Sequence, residues 1–199
     1  MSLMDGENYP MPTRTPRMPP IPAEKMTDAQ KQVVADVIAG PRGHLVGPFI
    51  PLMRSPEFMS RLQKAGEYLR YNSAFEPRLS ELAILITARL WSQNFEWHAH
   101  APIAAKAGLK SAIIEAVAEG RRPEAMAADE ATIWDFLDEL SRTRTVSEPT
   151  YQRAVALFGE RGVIDLVGIH GYYSLLAMVL NVSRAPLPDG AKPGLGALP

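Results

Sequence analysis

Residues 81–109 read ELAILITARLWSQNFEWHAHAPIAAKAGL, and the fold turns on how this stretch is parsed. Pro77 opens the segment ahead of it, and over residues 77–92 Leu79, Leu82, Ala83, Ile86 and Leu90 recur at helical spacing, an apolar stripe facing a core. A second helical segment covers 94–107 and stops at Gly108. Gln93, Glu96 and His100 are spaced by three and four positions, which puts them on one helix face and lets a carboxylate touch an imidazole. Pro102 removes a backbone donor from this helix and predicts a kink near residues 98–102.

Working outward, the same signals recur. Thr27-Asp28-Ala29-Gln30 has the capping-box pattern ahead of Val33, Val34, Val37 and Ile38. Ser55-Pro56-Glu57 opens a segment reaching about Tyr71. Further helical pieces are expected at 111–119, 129–142, 147–158 and 162–182. Of the 18 prolines, ten fall in residues 1–56 and only four in 57–185, so the middle of the chain is free to be helical. Sustained period-two runs are absent, and neither Asp5-Gly6 nor Asp189-Gly190 lies between strand-like segments. The expectation is all-α: a Pro-rich extended arm over 1–22, one helical domain over 23–188 and a flexible tail over 189–199. Met1-Ser2-Leu3 reads as an expression remnant ahead of Met4.

Composition removes whole classes of function. Lys plus Arg is 21 and Asp plus Glu is 22, a net charge of −1, which supplies no electrostatic footprint for a polyanion, so nucleic acid is not expected as a partner. Cysteine is absent, which excludes disulfides, Cys-ligated zinc and thiolate chemistry. The N-terminal segment lacks a basic cluster followed by an apolar run, so a cytoplasmic protein is expected. Leu166–Ser183 is long and uncharged but carries His170, Tyr172, Tyr173, Ser174 and Asn181, and reads as a buried helix, not a membrane span. Because residues 162–182 are apolar nearly all round, they need cover on every side, which points to a homo-oligomer.

Glu81 interrupts an apolar face beside Ile84, Leu85 and Ala88, where desolvation would raise a carboxyl pKa toward working pH. Together Glu81, Glu96 and His100 supply what proton transfer needs, an imidazole titrating near neutrality with carboxylates to orient it. The same residues also read as a solvated surface pair and a buried partner of Arg89. His98 lies about 200° around the helix from Glu96, so an HxH metal pair is not expected and no metal is assigned. His170 reads as a hydrogen-bonded core histidine, and His44 as a loop residue. Trp97 is a candidate pocket wall, although tryptophans at such positions more often pack in a core.

Residues 81–109 resemble the carboxymuconolactone decarboxylase family, which also holds the alkylhydroperoxidase D type thiol peroxidases. Flanking pieces are similar to its longer members: GPFIPLMRSP (47–56), GEYLRYNS (66–73), FGERGVIDLVGIHGYYSLLAMVLNV (158–182) and APLP (185–188). The resemblance implies an alkylhydroperoxidase D-like helical bundle, oligomeric as a trimer or hexamer, working without metal or cofactor. In the peroxidase branch a Glu precedes a CxxC by twelve residues, with a His four beyond the second Cys. Here those places hold Glu81, Gln93, Glu96 and His100: the acid and imidazole are kept and both sulfurs are missing. Peroxidase activity needs an attacking and a resolving thiol, so none is expected.

The decarboxylase branch implies loss of CO2 from a small carboxylated lactone in aromatic catabolism, although this chain is markedly longer than that enzyme. His100 would be the main acid/base, Glu96 its partner and Glu81 a relay. Gln93 would donate to a carbonyl oxygen that becomes negative, and Arg70 would hold the substrate carboxylate. Isomerisation or hydrolysis of a related lactone would use the same residues. The competing expectation is a catalytically silent ligand-binding or scaffold member whose polar trio satisfies itself inside the bundle.

Overall fold

A computed structural model describes residues 15–196, and every regular element in that range is helical. The elements are α1 (Asp28–Ala39), α2 (Phe49–Leu52), α3 (Pro56–Tyr71), α4 (Pro77–Leu90), α5 (Asn94–Lys106), α6 (Ser111–Ala118), α7 (Ala128–Thr143) and α8 (Glu148–Ser183), preceded by a 3-10 turn at Ala23–Lys25. Local chemistry sets their starts. Thr27 accepts from the Gln30 amide and Gln30 returns the bond to the Thr27 amide, a closed capping box. Pro56, Pro77 and Pro149 sit in first turns, where their missing N–H has no intrahelical partner to lose.

The architecture is organised around α4. All residues from Leu79 to Arg89 are buried, because α5, α6, α7 and α8 pack against it from different sides. The sequence predicts a single apolar stripe here, but four neighbours leave no face for solvent. Leu82, Ile84 and Leu85 are fully enclosed, each burial stabilising by roughly 1.5–3 kcal/mol. Arg78 ties α4 to α7, reaching Asp129 and Glu130 at 2.6 Å each. A short link containing Ser92 in the left-handed region (φ 46°) folds α5 back on α4 as a helical hairpin, with the Gln93 amide donating to the Ala88 carbonyl at 2.8 Å. Helix α5 runs on through Pro102 to Lys106.

Helix α8 is interrupted at Gly159 (φ 68°, ψ 172°), dividing it where the sequence separates 147–158 from 162–182. It is long and apolar enough to cross a membrane by length and composition, and half of its most apolar window is buried against the protein's own helices. The other side is open: Ile164 is 69 % exposed and Val182 57 %, with Val167 and Met178 beside them.

Residues 1–14 of the Pro-rich arm, including Met1-Ser2-Leu3, lie outside the described residues. The following stretch lies across the end of α8: the Arg17 amide donates to the Ser183 carbonyl at 2.8 Å, and Arg54 donates to the Pro19 carbonyl at 2.7 Å. At the other terminus, the segment expected to trail freely from 189 is docked up to Gly196. Leu195 is buried, its amide donates to Asn94 Oδ1 at 2.9 Å, and Arg89 donates to the Gly196 carbonyl at 2.7 Å. A lone leucine finding a core groove has no local sequence signature, so composition alone reads this segment as a tail.

Candidate active site

The α4–α5 hairpin brings Glu81 against the face carrying Glu96 and His100. His100 Nδ1 lies 2.7 Å from Glu81 Oε2, and His100 Nε2 lies 3.5 Å from Glu96 Oε2. All three side chains are at most 6 % exposed. A carboxylate only accepts, so the shorter contact assigns the proton on the imidazole to Nδ1 and turns the Nε2 lone pair toward Glu96. Burial pushes the Glu96 carboxyl up from its ordinary value, against the opposing pull of His100, Arg42 and Arg70. A protonated Glu96 would donate to Nε2. The three groups therefore form a line, Glu81 to His100 to Glu96, with the imidazole in the middle. Glu96 Oε1 is buried with no hydrogen-bond partner, so the line ends in an unused acceptor.

The walls come from α8 and the loop before α2. Tyr173 stands edge-on to the His100 ring, with centroids 5.1 Å apart and planes at 88°, and Tyr172 packs on Tyr173 in the same manner. Burial raises the Tyr172 phenol to about 12 and the Tyr173 phenol well above its ordinary value, so both stay neutral. Arg42 donates from Nη2 to the Tyr172 hydroxyl at 3.1 Å, stacks over Phe49 and leaves a buried Nε with no hydrogen-bond partner. This close approach requires Gly66 on α3: a Cβ there would stand 2.1 Å from the Tyr172 hydroxyl and 2.8 Å from Arg42 Nη2.

The other candidate residues divide. Arg70 is half-buried, its guanidinium near the Tyr71 ring, and its charge acts on Glu96, Tyr172 and Tyr173. It belongs with Arg42 on the cationic side of the site. Gln93 does not: its side-chain oxygen caps α5 on the Phe95 amide at 2.6 Å, and its nitrogen donates to Asn181 Oδ1 at 2.8 Å. That amide is occupied by structure, because the N-terminus of α5 needs an acceptor. Trp97 is buried in the core against Gly194 of the docked C-terminal segment. His98 is exposed and His44 lies on an exposed loop, so neither joins the site. Among the described residues no group of three His, Cys, Asp or Glu is arranged to hold a metal ion.

Arg42, Tyr172 and Tyr173 are site residues that the sequence reading missed. The paired tyrosines had a signal: two phenols in an apolar helix need hydrogen-bond partners or a polar cavity. Arg42 had none, since nothing local tells a loop arginine which helix it will meet.

Residues 56–139 match the sequence model of the carboxymuconolactone decarboxylase family. No curated protein matches the chain. Two solved structures are similar in fold. One is an Agrobacterium tumefaciens protein of unknown function, described as a putative antioxidant defence protein AhpD, with TM-score 0.61 and 15 % identity over 69 % of this chain and 94 % of that one. The other is an uncharacterized peroxidase-related protein with an AhpD core from Ralstonia eutropha, with TM-score 0.70 and 16 % identity over 87 % of this chain and 93 % of that one. At these identities the likeness is one of fold.

Proposed function

Because residues 56–139 match the model of the carboxymuconolactone decarboxylase family and the chain has the AhpD-like fold, we propose that it is an acid/base enzyme acting without thiol or cofactor. Its substrate is a small carboxylated lactone or a similar carbon acid, and the reaction is decarboxylation. The single observation that carries this reading is the buried line of Glu81, His100 and Glu96 ending in an unpartnered acceptor, faced by the charges of Arg42 and Arg70. The antioxidant description of one structural neighbour does not transfer, since peroxide reduction on this fold's thiol plan needs cysteines and the chain has none.

In the proposed cycle, Arg42 and Arg70 hold the substrate carboxylates. The bond from carbon to the departing carboxylate breaks, CO2 leaves, and its electron pair spreads into the lactone carbonyl as a dienolate. Glu96, whose protonated form desolvation favours, delivers its proton to that carbon. Water restores the proton through His100, whose tautomer Glu81 sets. Glu96 is thus the terminal acid and His100 the relay, a different order of roles from that read off spacing alone. Entry requires the Gly40–Gly47 loop carrying Arg42 to move, and Gly43 (φ 72°) and Gly47 (φ 57°) give it two positions in the left-handed region. The proposal includes a homo-oligomer in which a second copy covers the outward face of α8 at Ile164, Val167, Met178 and Val182.

The test is proton NMR in D2O on EDTA-treated protein with a panel of carboxylated lactones and unsaturated acids, run beside Glu96→Gln. CO2 loss or deuterium bound to carbon, with wild type and not with Glu96→Gln, is expected. Equal behaviour of the two proteins across the panel would favour a silent ligand-binding member whose buried trio only satisfies itself.

A further inference from the structure

A second constellation lies on the far side of α4, around His170. Thr87 Oγ1 donates to the Ala83 carbonyl at 2.8 Å, using its only proton. Its 2.9 Å contact with His170 Nδ1 must therefore be one it accepts, which assigns the imidazole proton to Nδ1 and makes Nε2 an acceptor. Burial lowers the His170 pKa, which favours the neutral ring with Nε2 unprotonated. Nε2 faces a cavity of about 420 Å³ lined by Leu90, Trp91, Ser141, Arg144, His170 and Ser174. Ser141 Oγ, 3.5 Å from Nε2, is at the limit of a hydrogen bond. Thr132 and Thr143 on the same helix donate to the carbonyl one turn back, whereas the Ser141 hydroxyl is turned to the histidine.

Arg144 ends α7 in the left-handed conformation (φ 67°) and donates from Nη1 to the Ser141 carbonyl at 2.6 Å. That bond sets the guanidinium at the cavity rim, where it forms no ion pair among the described residues. Trp91 and Leu90, 38 % and 43 % exposed, supply a flat apolar wall. A fixed cation, a fixed neutral acceptor and an aromatic plane around a volume for a small molecule specify a ligand with three matching parts. A metal ion is disfavoured, because one imidazole beside a guanidinium offers a single ligand and a repelling charge.

We propose that this cavity binds a small aromatic carboxylate that also carries a hydroxyl. The carboxylate pairs with Arg144, the hydroxyl donates to His170 Nε2, and the ring lies on Trp91. The site is separate from the Glu81–His100–Glu96 line and does not depend on the reaction assigned to it.

The test uses 3-hydroxybenzoate, with benzoate and 3-hydroxybenzyl alcohol as comparators, followed by titration NMR with the histidine ring nitrogens observed on the full chain. Expected are the Nδ1–H tautomer of His170 in the free protein, movement of its Nε2 signal on adding 3-hydroxybenzoate, and about fivefold weaker binding of benzoate for the lost hydrogen bond. Arg144→Gln, at an exposed position that leaves the fold intact, should weaken 3-hydroxybenzoate about tenfold or more, to the level of the benzyl alcohol. Glu96→Gln should bind it as wild type does. Equal affinity for the two benzoates, an unmoved His170, an unaffected Arg144→Gln protein, or loss of binding in Glu96→Gln would each overturn the assignment.

Discussion

Glu81 and His100, nineteen positions apart on different helices, are joined by a 2.7 Å hydrogen bond that is sealed from solvent. The bond sets the histidine tautomer, and with it the direction in which the site can pass a proton. Glu81→Gln keeps an acceptor for Nδ1–H but removes the charge and buries an amide donor in its place. The expected cost is about 1–3 kcal/mol in chemical denaturation, together with loss of any turnover found. Wild-type stability in that variant would mean that the charge of Glu81, as distinct from the hydrogen bond, contributes nothing to the fold.

The raised Glu96 carboxyl makes a prediction about pH with a definite sign. The folded protein holds this proton more tightly than the unfolded chain does. Glu96 therefore supports folding fully below the ordinary value of 4.5, and this support is lost as pH rises through the folded-state value. Glu96→Gln should melt at or above the wild-type temperature at pH 7–8, with the advantage shrinking as pH is lowered toward 4.5. A variant less stable at neutral pH, or a pH-independent difference in thermal melts, would contradict this.

Gly66→Ala tests the arginine–tyrosine wall. In an open helix this change gains about 0.5–1 kcal/mol. Here the new methyl would meet the Tyr172 hydroxyl and Arg42 Nη2 at 2.1 and 2.8 Å, so a loss of about 1–3 kcal/mol is expected instead. A raised melting temperature would show that Arg42 and Tyr172 are not held there.

Arg78→Ala should be among the more damaging polar substitutions, costing about 3 kcal/mol, because it leaves Glu130, whose side chain is 4 % exposed, with the Ala127 amide but no cationic partner. Asp129 adds a pH dependence. Burial is the largest single influence and opposes its ionised form, yet the Arg78 hydrogen bond and charge, added to the backbone hydrogen bonds it accepts, together outweigh this and hold its pKa down. The stabilisation is present above the ordinary value of 3.8 and is lost as pH falls through the folded-state value. Acid unfolding of the variant, followed by circular dichroism, should begin at higher pH than in wild type.

Much of the fold was legible because helix starts and stops are local. Thr27 with Gln30, the prolines at 56, 77 and 149, and the break at Gly159 each act through neighbours within a turn of chain. The site was legible only in part. Spacing places Glu96 and His100 on one face, which is a local fact. Spacing also offers Gln93 as a substrate donor, and only the structure shows its amide taken by Phe95 and Asn181.

From sequence alone, then, come the helices, the Glu96–His100 pair and the exclusion of thiol chemistry, since periodicity, i to i+4 contact and the absence of a residue type need no tertiary information. The tertiary structure alone decided that Glu81 meets His100, that Arg42 and the two tyrosines wall the site, and that Glu96 is desolvated. The physical reason is that desolvation and charge pairing are sums over everything packed around an atom. For this site those neighbours arrive from α3, α4, α5, α8 and a loop, which only the folded packing brings together.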